Sequence, residues 1–524
     1  MLRPLLLNGF MGTGKSSVGR LVATRTGRRC VDLDSLVEAR AGMGIARFFA
    51  ERGEPAFRAL EREVLLEQLA RREPIVIALG GGALVNRETR LRALDEAVVV
   101  TLHASADEVL RRCASDDSRP LLAGPDRAAR IQELLAARAG SYAETHASVA
   151  TDGKSLDAVA AEVTAVWKRD PLAVAAGASS YAVDVGAGIL TERLPVLAGA
   201  PSRIVLVSDE TVFGLHGHSA VTALGSPAVV RLPPGEENKH IATVERIWRA
   251  ALEAHADRKA LFVALGGGVV TDMTGFAAAT FMRGVRWLGI PTTLLAMVDA
   301  SVGGKTGVDL MAAKNAVGAF WQPSGVICDV DVLRTETPRA FRSALAEVVK
   351  TAIIGDPDLL GAFDRAEELE TVRSHELLSD MVRRSVRVKA RIVSADERES
   401  GLRAVLNLGH TVGHALEAVA GYSRLTHGEA VSLGLVAALR IGVTLGFTEV
   451  SLADRVEELL RRIGLPTDVR SEPLDDAVRL IAHDKKRKAS KLTFIVARDI
   501  GRVETVDLPL AELESAVLGL KRVA

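Results

Sequence analysis

Short apolar runs, each closed by a turn, alternate with helical periodicities through the first third of the chain. Residues 5–8, 75–79 and 97–102 are apolar runs too short for buried helices and predict buried strands. A further strand is predicted at 30–33, with Asp32 and Asp34 at its end. Helical spacing starts near Lys15, covers 57–72, and returns at 106–113 and 156–168. Strands alternating with helices imply a parallel sheet covered by helices. Residues 169–179 hold Pro171 among small residues without amphipathic period and read as a linker. A second alternation follows, with strands predicted at 203–207, 228–232, 260–265 and 287–290. From about Pro338 long helical patterns take over, at 339–354, 377–396, 410–420 and 429–444, and LTFIVAR near the end alternates as a strand. The pattern predicts the α/β class in three bodies: 1–168 around a parallel sheet, a Rossmann-like 180–335, and a mostly α-helical 336–524.

Composition narrows the function classes. With 66 basic against 66 acidic residues the net charge is zero, so neither nucleic acid nor a membrane surface is an expected partner. Cys30, Cys113 and Cys328 lie far apart without a CxxC pair, which points to a reducing cytoplasm and no thiolate metal site. The first residues run straight into a glycine loop, leaving no room for a signal peptide, and no apolar run reaches transmembrane length.

That loop, GFMGTGKS, runs from Gly9 to Ser16 between a predicted strand and a predicted helix, the context a phosphate-binding P-loop requires. Gly12, Thr13 and Gly14 leave backbone amides free to close on phosphate oxygens, and the helix N-terminus adds partial positive charge. Lys15 supplies a point charge, and Ser16 a hydroxyl for Mg2+. Asp32 and Asp34, two apart on a strand, would face one side, for the magnesium shell and an acceptor hydroxyl; an N-capping pair is the alternative. Arg58 suits a carboxylate, and Gly80, Gly81 and Gly82 let a small polyol approach backbone.

With FRALE, GGGA and RPLLAG following in order, residues 5–168 resemble shikimate kinase. The resemblance implies ATP with Mg2+, the nucleotide meeting Gly12 to Ser17 and Arg119, and the ion Ser16 and Asp32. It implies shikimate on Asp34, Arg58, Gly80, Gly81, Gly82 and Arg138, with Asp34 deprotonating its 3-hydroxyl and Lys15 and Arg119 stabilising the phosphoryl group. The stretch around Asp152 would lie under adenine.

In the second half, LFVALGGGVVTD leads a buried strand into Gly266, Gly267 and Gly268, weak evidence for a dinucleotide without GxGxxG. Asp209 could hold a ribose or cap a helix. Residues 291–315 pack Thr292, Thr293, Asp299, Lys305, Lys314 and Asn315 into a poorly periodic stretch, read as a loop around an anion. Glu347 and Lys350 lie one turn apart; His410 and His414 share a helix face; His427 follows. One Glu with two His and open positions is a catalytic zinc set, and spacing alone favours His410 with His414.

GEENK, LGGGVVTD, PTTLLAMVDASVGGKTG, AEVVK, NLGHTVGHALE, HGEAV and DKK appear in the order of 3-dehydroquinate synthase, which residues 180–524 resemble. The resemblance implies NAD and Zn2+ (or Co2+), with the metal on Glu347, His410 and His427, and His414 on the substrate side. NAD would contact Asp209, Glu236, Lys239, Gly267, Gly268, Asp272, Thr292, Thr293 and Lys314. The heptulosonate phosphate substrate would meet Asp299, Lys305, Asn315, Lys350, Lys389, Arg403, Asn407, His414 and Lys485. Of these Lys305, Lys350, Arg403, Asn407 and His414 would take part in catalysis. Arg283 would reach a neighbouring subunit's substrate, implying a homodimer. Two departures stand out: Asp309 where the family often has Asn, expected to tune the pocket, and Ala313 where it has Gly. A related sugar-phosphate cyclase, a metal-dependent polyol dehydrogenase, or a non-catalytic scaffold are the rival readings.

Overall fold

In the computed structural model, residues 2–114, 126–311, 313–365, 374–421, 423–485 and 491–521 are described. They form two compact units, Met1–Asp184 and Val185–Ala524.

The first unit is built on strands β1 (Leu5–Gly9), β2 (Cys30–Asp32), β3 (Val76–Ala78), β4 (Val98–His103) and β5 (Ala147–Ala150). They form a parallel sheet in the order β2-β3-β1-β4-β5. Alternate residues feed opposite faces. Leu6, Ile77 and Val99 pack with Phe57 and Val64 on one side; Leu5, Leu7, Val98 and Val100 pack with Val22 and Val163 on the other. Burial on both faces explains the uninterrupted apolar runs.

Three local expectations change. The strand at 30–33 stops at Asp32, and Leu33–Ala41 is a helix. Asp32 caps it by accepting the amide of Asp34 at 3.1 Å, so Asp34 stands on a helical first turn and not on the strand. The helix expected from 57 belongs to Ile45–Ala70, broken at Gly53 (φ 78°, ψ 168°) just before Pro55. Where a linker was read, the chain is packed: β6 (Leu172–Val174) pairs antiparallel with β7 (Tyr181–Gly186), and Ala175 is fully buried in the core beside Leu6. Gly177 donates its amide to Glu144 at 3.1 Å, and Arg3 binds Asp170 at 2.7 Å and the Pro171 carbonyl at 2.6 Å.

In the second unit β8 (Ile204–Asp209), β9 (Ala228–Leu232), β10 (Leu261–Gly266) and β11 (Arg286–Pro291) precede a hairpin, β12 (Lys305–Leu310) and β13 (Ala313–Phe320), and then β14 (Val326–Asp329). Parallel neighbours run β14-β11-β10-β8-β9. Chain order reverses between β8 and β10, and the crevice beyond the carboxyl ends of those strands is where open α/β sheets bind ligands. Helices Pro338–Gly355, His375–Ala395, His410–Val419 and His427–Thr444 follow, with an antiparallel pair β15 (Lys491–Asp499) and β16 (Arg502–Pro509).

The hairpin corrects the reading of 291–315 as a loop. Gly307 and Gly318 let its two backbones approach: a Cβ on Gly307 would lie 2.7 Å from the Val317 carbonyl oxygen, and one on Gly318 2.2 Å from that of Thr306. Paired backbone replaces the side-chain alternation that normally announces strands. Asp309 accepts the Asn315 amide at 2.7 Å, holding Asn315 in the left-handed region at φ 53°. Ala313 lies in β13 with no positive φ, so a side chain fits where a glycine was expected.

Candidate functional site

The first unit places a glycine loop between β1 and the helix Lys15–Thr26. Gly12 (φ 77°) and Gly14 (φ 92°) take left-handed angles that turn the loop. Thr13 donates to the Phe10 carbonyl at 2.7 Å. Lys15 folds back over the loop, its Nζ 2.9 Å from the carbonyls of Gly9 and Phe10. Ser16 Oγ donates to Asp32 Oδ2 at 2.7 Å, joining the two groups suited to a magnesium shell, and Ser17 is exposed on the same first turn.

Beside this loop opens a cavity of about 620 Å³ whose wall includes Asp32, Asp34, Arg58, Arg138 and Gly80 to Gly82. The residues expected for the acceptor thus meet in one place. A Cβ on Gly80 would lie 2.4 Å from Glu61 Oε1 and 2.8 Å from Asp34 Oδ1, so only glycine lets the wall close. Arg138 and Tyr142 both donate to the Gly81 carbonyl, at 3.0 and 2.6 Å. Burial, reinforced by Asp32, pushes the Asp34 carboxyl above its ordinary range, which makes its carboxylate a stronger proton acceptor, as a general base requires. Asp152 accepts from Ser105 at the adjoining loop, and Arg112 donates to the Gly12 carbonyl at 3.3 Å. Arg119 lies outside the described residues.

In the second unit the switch point carries the glycines. Gly267 caps the helix Gly268–Thr280 at the end of β10, and Asp209 at the end of β8 caps the next turn by accepting the Val212 amide at 2.9 Å. Lys239 is buried, 2.7 Å from Asp272 Oδ2 and 2.5 Å from Asn315 Oδ1, with Glu236 3.8 Å away. Burial pushes the Asp272 carboxyl up to about 6 against the pull of Lys239. Thr292 Oγ1 is buried without a hydrogen-bond partner, a group waiting for a ligand. Thr293 Oγ1 accepts the Ala296 amide.

A cavity of about 460 Å³ joins Asp272 and Asn315 to Asp299, Lys305, Lys389 and Arg403. Lys389 binds the Asp299 carboxylate and carbonyl; Arg403 donates to the carbonyls of Gly303 and Glu397 at 3.1 and 2.6 Å. Lys305 Nζ and Asn407 Nδ2 both reach Glu399, at 2.5 and 3.2 Å.

On the helical side Glu347 is 1% exposed, yet its Oε1 has no hydrogen-bond partner. That oxygen lies 3.5 Å from His410 Nε2 and 3.4 Å from His427 Nε2, while Lys350 takes Oε2 at 2.5 Å. One donor atom from each of Glu347, His410 and His427 falls within 4.8 Å of the others. An orphaned carboxylate oxygen facing two imidazole nitrogens fits a divalent cation. Burial takes the His410 imidazole down to about 3, keeping it neutral as a ligand must be. With no cation between them, Glu347 and Glu417 outweigh burial and hold a proton on His427 up to about 10, a proton that a bound cation would displace. His414 is exposed, its ring 4.8 Å from that of His410; it is not in the group of Glu347, His410 and His427 but falls in a second one with Glu417 and His427.

Other expected residues spread out. Lys314 Nζ lies 2.9 Å from Glu417 Oε1, while its neighbour Asn315 serves Lys239. Arg283 lines neither cavity; it is exposed on a turn where Met282, Arg283 and Gly284 all have positive φ. The Lys485 side chain is outside the described residues. Four residues went unassigned in the sequence: Glu61, Tyr142, Glu399 and Glu417. Helical spacing offered a signal for three, since Glu61 follows Arg58 by three, Tyr142 follows Arg138 by four, and Glu417 follows His410 by seven. Glu399, on an irregular turn, had none.

Comparison with known proteins agrees with this division. Residues 11–168 match the shikimate kinase family model, 229–343 that of the 3-dehydroquinate synthase N-terminal region, and 344–487 that of its C-terminal region. A 3-dehydroquinate synthase of Synechocystis sp. is 41% identical over 350 residues, 65% of this chain and 97% of that protein. The 2-epi-5-epi-valiolone synthase ValA of Streptomyces hygroscopicus, solved with NAD+ and Zn2+ bound, is 28% identical with a TM-score of 0.59, covering 65% of this chain and 97% of its own. A shikimate kinase of Acinetobacter baumannii in complex with shikimate is 32% identical over 91% of its length and 31% of this chain; its TM-score is 0.30, so that likeness rests on sequence.

Proposed function

Since the chain belongs to the shikimate kinase family over residues 11–168 and to the 3-dehydroquinate synthase family over residues 229–487, we propose the following roles for the residues of its two sites. The protein is a bifunctional enzyme of the shikimate pathway. It phosphorylates shikimate with ATP and Mg2+, and it converts 3-deoxy-D-arabino-heptulosonate 7-phosphate to 3-dehydroquinate and phosphate with NAD and a divalent metal.

In the kinase, Lys15 and the amides of the glycine loop take the terminal phosphates, and Ser16 with Asp32 hold the magnesium. Arg58 and Arg138 grip the shikimate carboxylate across the cavity, and Asp34 takes the proton of the hydroxyl that attacks. Glu61 fixes Arg58 at 2.6 Å. Phosphoryl transfer asks mainly for positioning and charge neutralisation, and these groups supply both.

In the synthase, Glu347, His410 and His427 hold the cation, and the glycine turn at Gly267 with Asp209, Lys239 and Asp272 holds the nucleotide. Bound there, a metal would supply Lewis acidity toward the substrate's hydroxyls, and a nicotinamide would supply reversible hydride acceptance. Lys350 takes one Glu347 oxygen and so leaves the other directed at the ion. Lys305, Lys389, Arg403 and Asn407 orient the sugar acid and its phosphate against that site. The observation that carries this reading is the orphaned Glu347 oxygen between two imidazole nitrogens, close in sequence to a lysine that neutralises its partner oxygen.

The synthase half forms a homodimer in which Arg283 serves the neighbouring subunit, supported by an exposed arginine held on a turn of positive φ. The enzyme works in the cytoplasm, a placement supported by cysteines spread along the sequence without a CxxC pair. No helix among the described residues is long and apolar enough to cross a membrane.

The test is to assay the whole chain for both reactions. Lys15→Ala lowers ADP formation with shikimate by about a hundredfold or more and leaves phosphate release from the heptulosonate phosphate unchanged; His427→Ala does the reverse. If either substitution abolishes both activities in a folded protein, the two-site assignment fails.

A further inference from the structure

We propose that Glu417 is a positioning residue for the cation site: it holds His427 so that Nε2, and not Nδ1, faces Glu347 and His410. The inference rests on the reading of Glu347, His410 and His427 as the ligand set.

An imidazole binds metal through one nitrogen, and what the other nitrogen touches decides which one. The two ligand histidines solve this differently. His410 Nδ1 lies 3.2 Å from the Leu408 carbonyl, a backbone acceptor two residues away. His427 starts its helix, and its Nδ1 lies 3.3 Å from Glu417 Oε2 instead, while its Nε2 is 3.4 Å from Glu347 Oε1. The ring therefore stands between two carboxylates, one on the cation side and one behind it.

Glu417 is itself held. It is 6% exposed, and its second oxygen takes Lys314 Nζ at 2.9 Å from the β12–β13 hairpin. Its reach to His427 is fixed by close contact of two helices. A Cβ on Gly413 would lie 2.8 Å from the Ala430 carbonyl oxygen, and one on Gly434 2.1 Å from that of Gly409. Backbone-to-backbone packing thus sets how far the carboxylate stands from the ring.

His414, Glu417 and His427 also bring donor atoms within 4.8 Å of one another, so a second cation is the competing reading. The ion pair with Lys314 favours the positioning role, because an ammonium already occupies one carboxylate oxygen.

The experiment titrates Co2+ alone into the chelator-stripped full chain, reading affinity by chelator competition and ligand geometry by visible absorption. Wild type binds one equivalent. Glu417→Gln, nearly isosteric and checked for an unchanged melting temperature without metal, weakens binding about tenfold and shifts the visible bands; Glu417→Ala approaches a hundredfold. Unchanged affinity and spectrum in the Gln variant overturn the proposal. So does a second wild-type equivalent that the Gln variant lacks, which would make Glu417 a ligand. If wild type takes up no Co2+, the ligand set fails and this inference with it.

Discussion

At the scale of single residues, the kinase site shows how a carboxylate is tuned. Asp34 is needed as its anion, and burial with Asp32 nearby raises its affinity for the proton above that of an ordinary aspartate at 3.8. Activity therefore falls as pH drops through the raised value, and the acid limb of kcat/KM for shikimate lies above pH 3.8; a limb at or below it refutes the assignment of Asp34 as base. Gly80 is a second test. With Glu61 and Asp34 against its missing side chain, Gly80→Ala raises the KM for shikimate by about tenfold and leaves the KM for ATP within about twofold. Residue-level chemistry was legible where one motif contains all its parts, as from Gly9 to Ser16. It was illegible where the partner comes from elsewhere in the fold: nothing around Lys314 announces Glu417. Of the two readings of Asp32 and Asp34, the structure shows the cap: Asp32 caps the helix that carries Asp34, and this is compatible with the role proposed for Asp34.

Among elements, central parallel strands such as β1, β3, β4, β10 and β11 were read within a residue or two because both faces are covered and the apolar run is continuous, while β5 and β14 were not predicted. The segment after Trp167 misled because alanines and glycines carry no period, although they pack closely. It is tied down by a buried pair: Glu144 takes Arg90 at 2.6 Å and the Gly177 amide, and Arg90 also holds the carbonyls of Leu84 and Val85 just beyond the shikimate glycines. Glu144→Ala leaves the Arg90 charge buried without its carboxylate and destabilises the kinase unit by about 3–5 kcal/mol, read as a lower urea midpoint for loss of kinase activity. A midpoint unchanged from wild type would show that this pair does not hold the segment.

For the whole molecule, the two chemistries reside in separate units, and the steps are not consecutive in the pathway, so neither activity is expected to need the other. The proposed dimer makes a sharper forecast. Arg283→Ala and Glu347→Gln each silence synthase activity, one through the neighbour and one in its own site. Mixed and allowed to exchange subunits in equal amounts, they recover about a quarter of wild-type activity, because half the pairs are hybrids with one intact site. No recovery despite exchange would place Arg283 in its own subunit's site or in none. The hairpin ties the synthase site together in another way. Consecutive residues Lys314 and Asn315 serve different clients, one at Glu417 behind the proposed metal ligand His427 and one at Lys239 in the proposed nucleotide site, and close glycine contacts lock the two strands together. Shifting the pairing by a single residue would exchange those assignments. An insertion or deletion there would thus cost both cofactors at once, making its length less tolerant of drift than its small, bland side chains suggest.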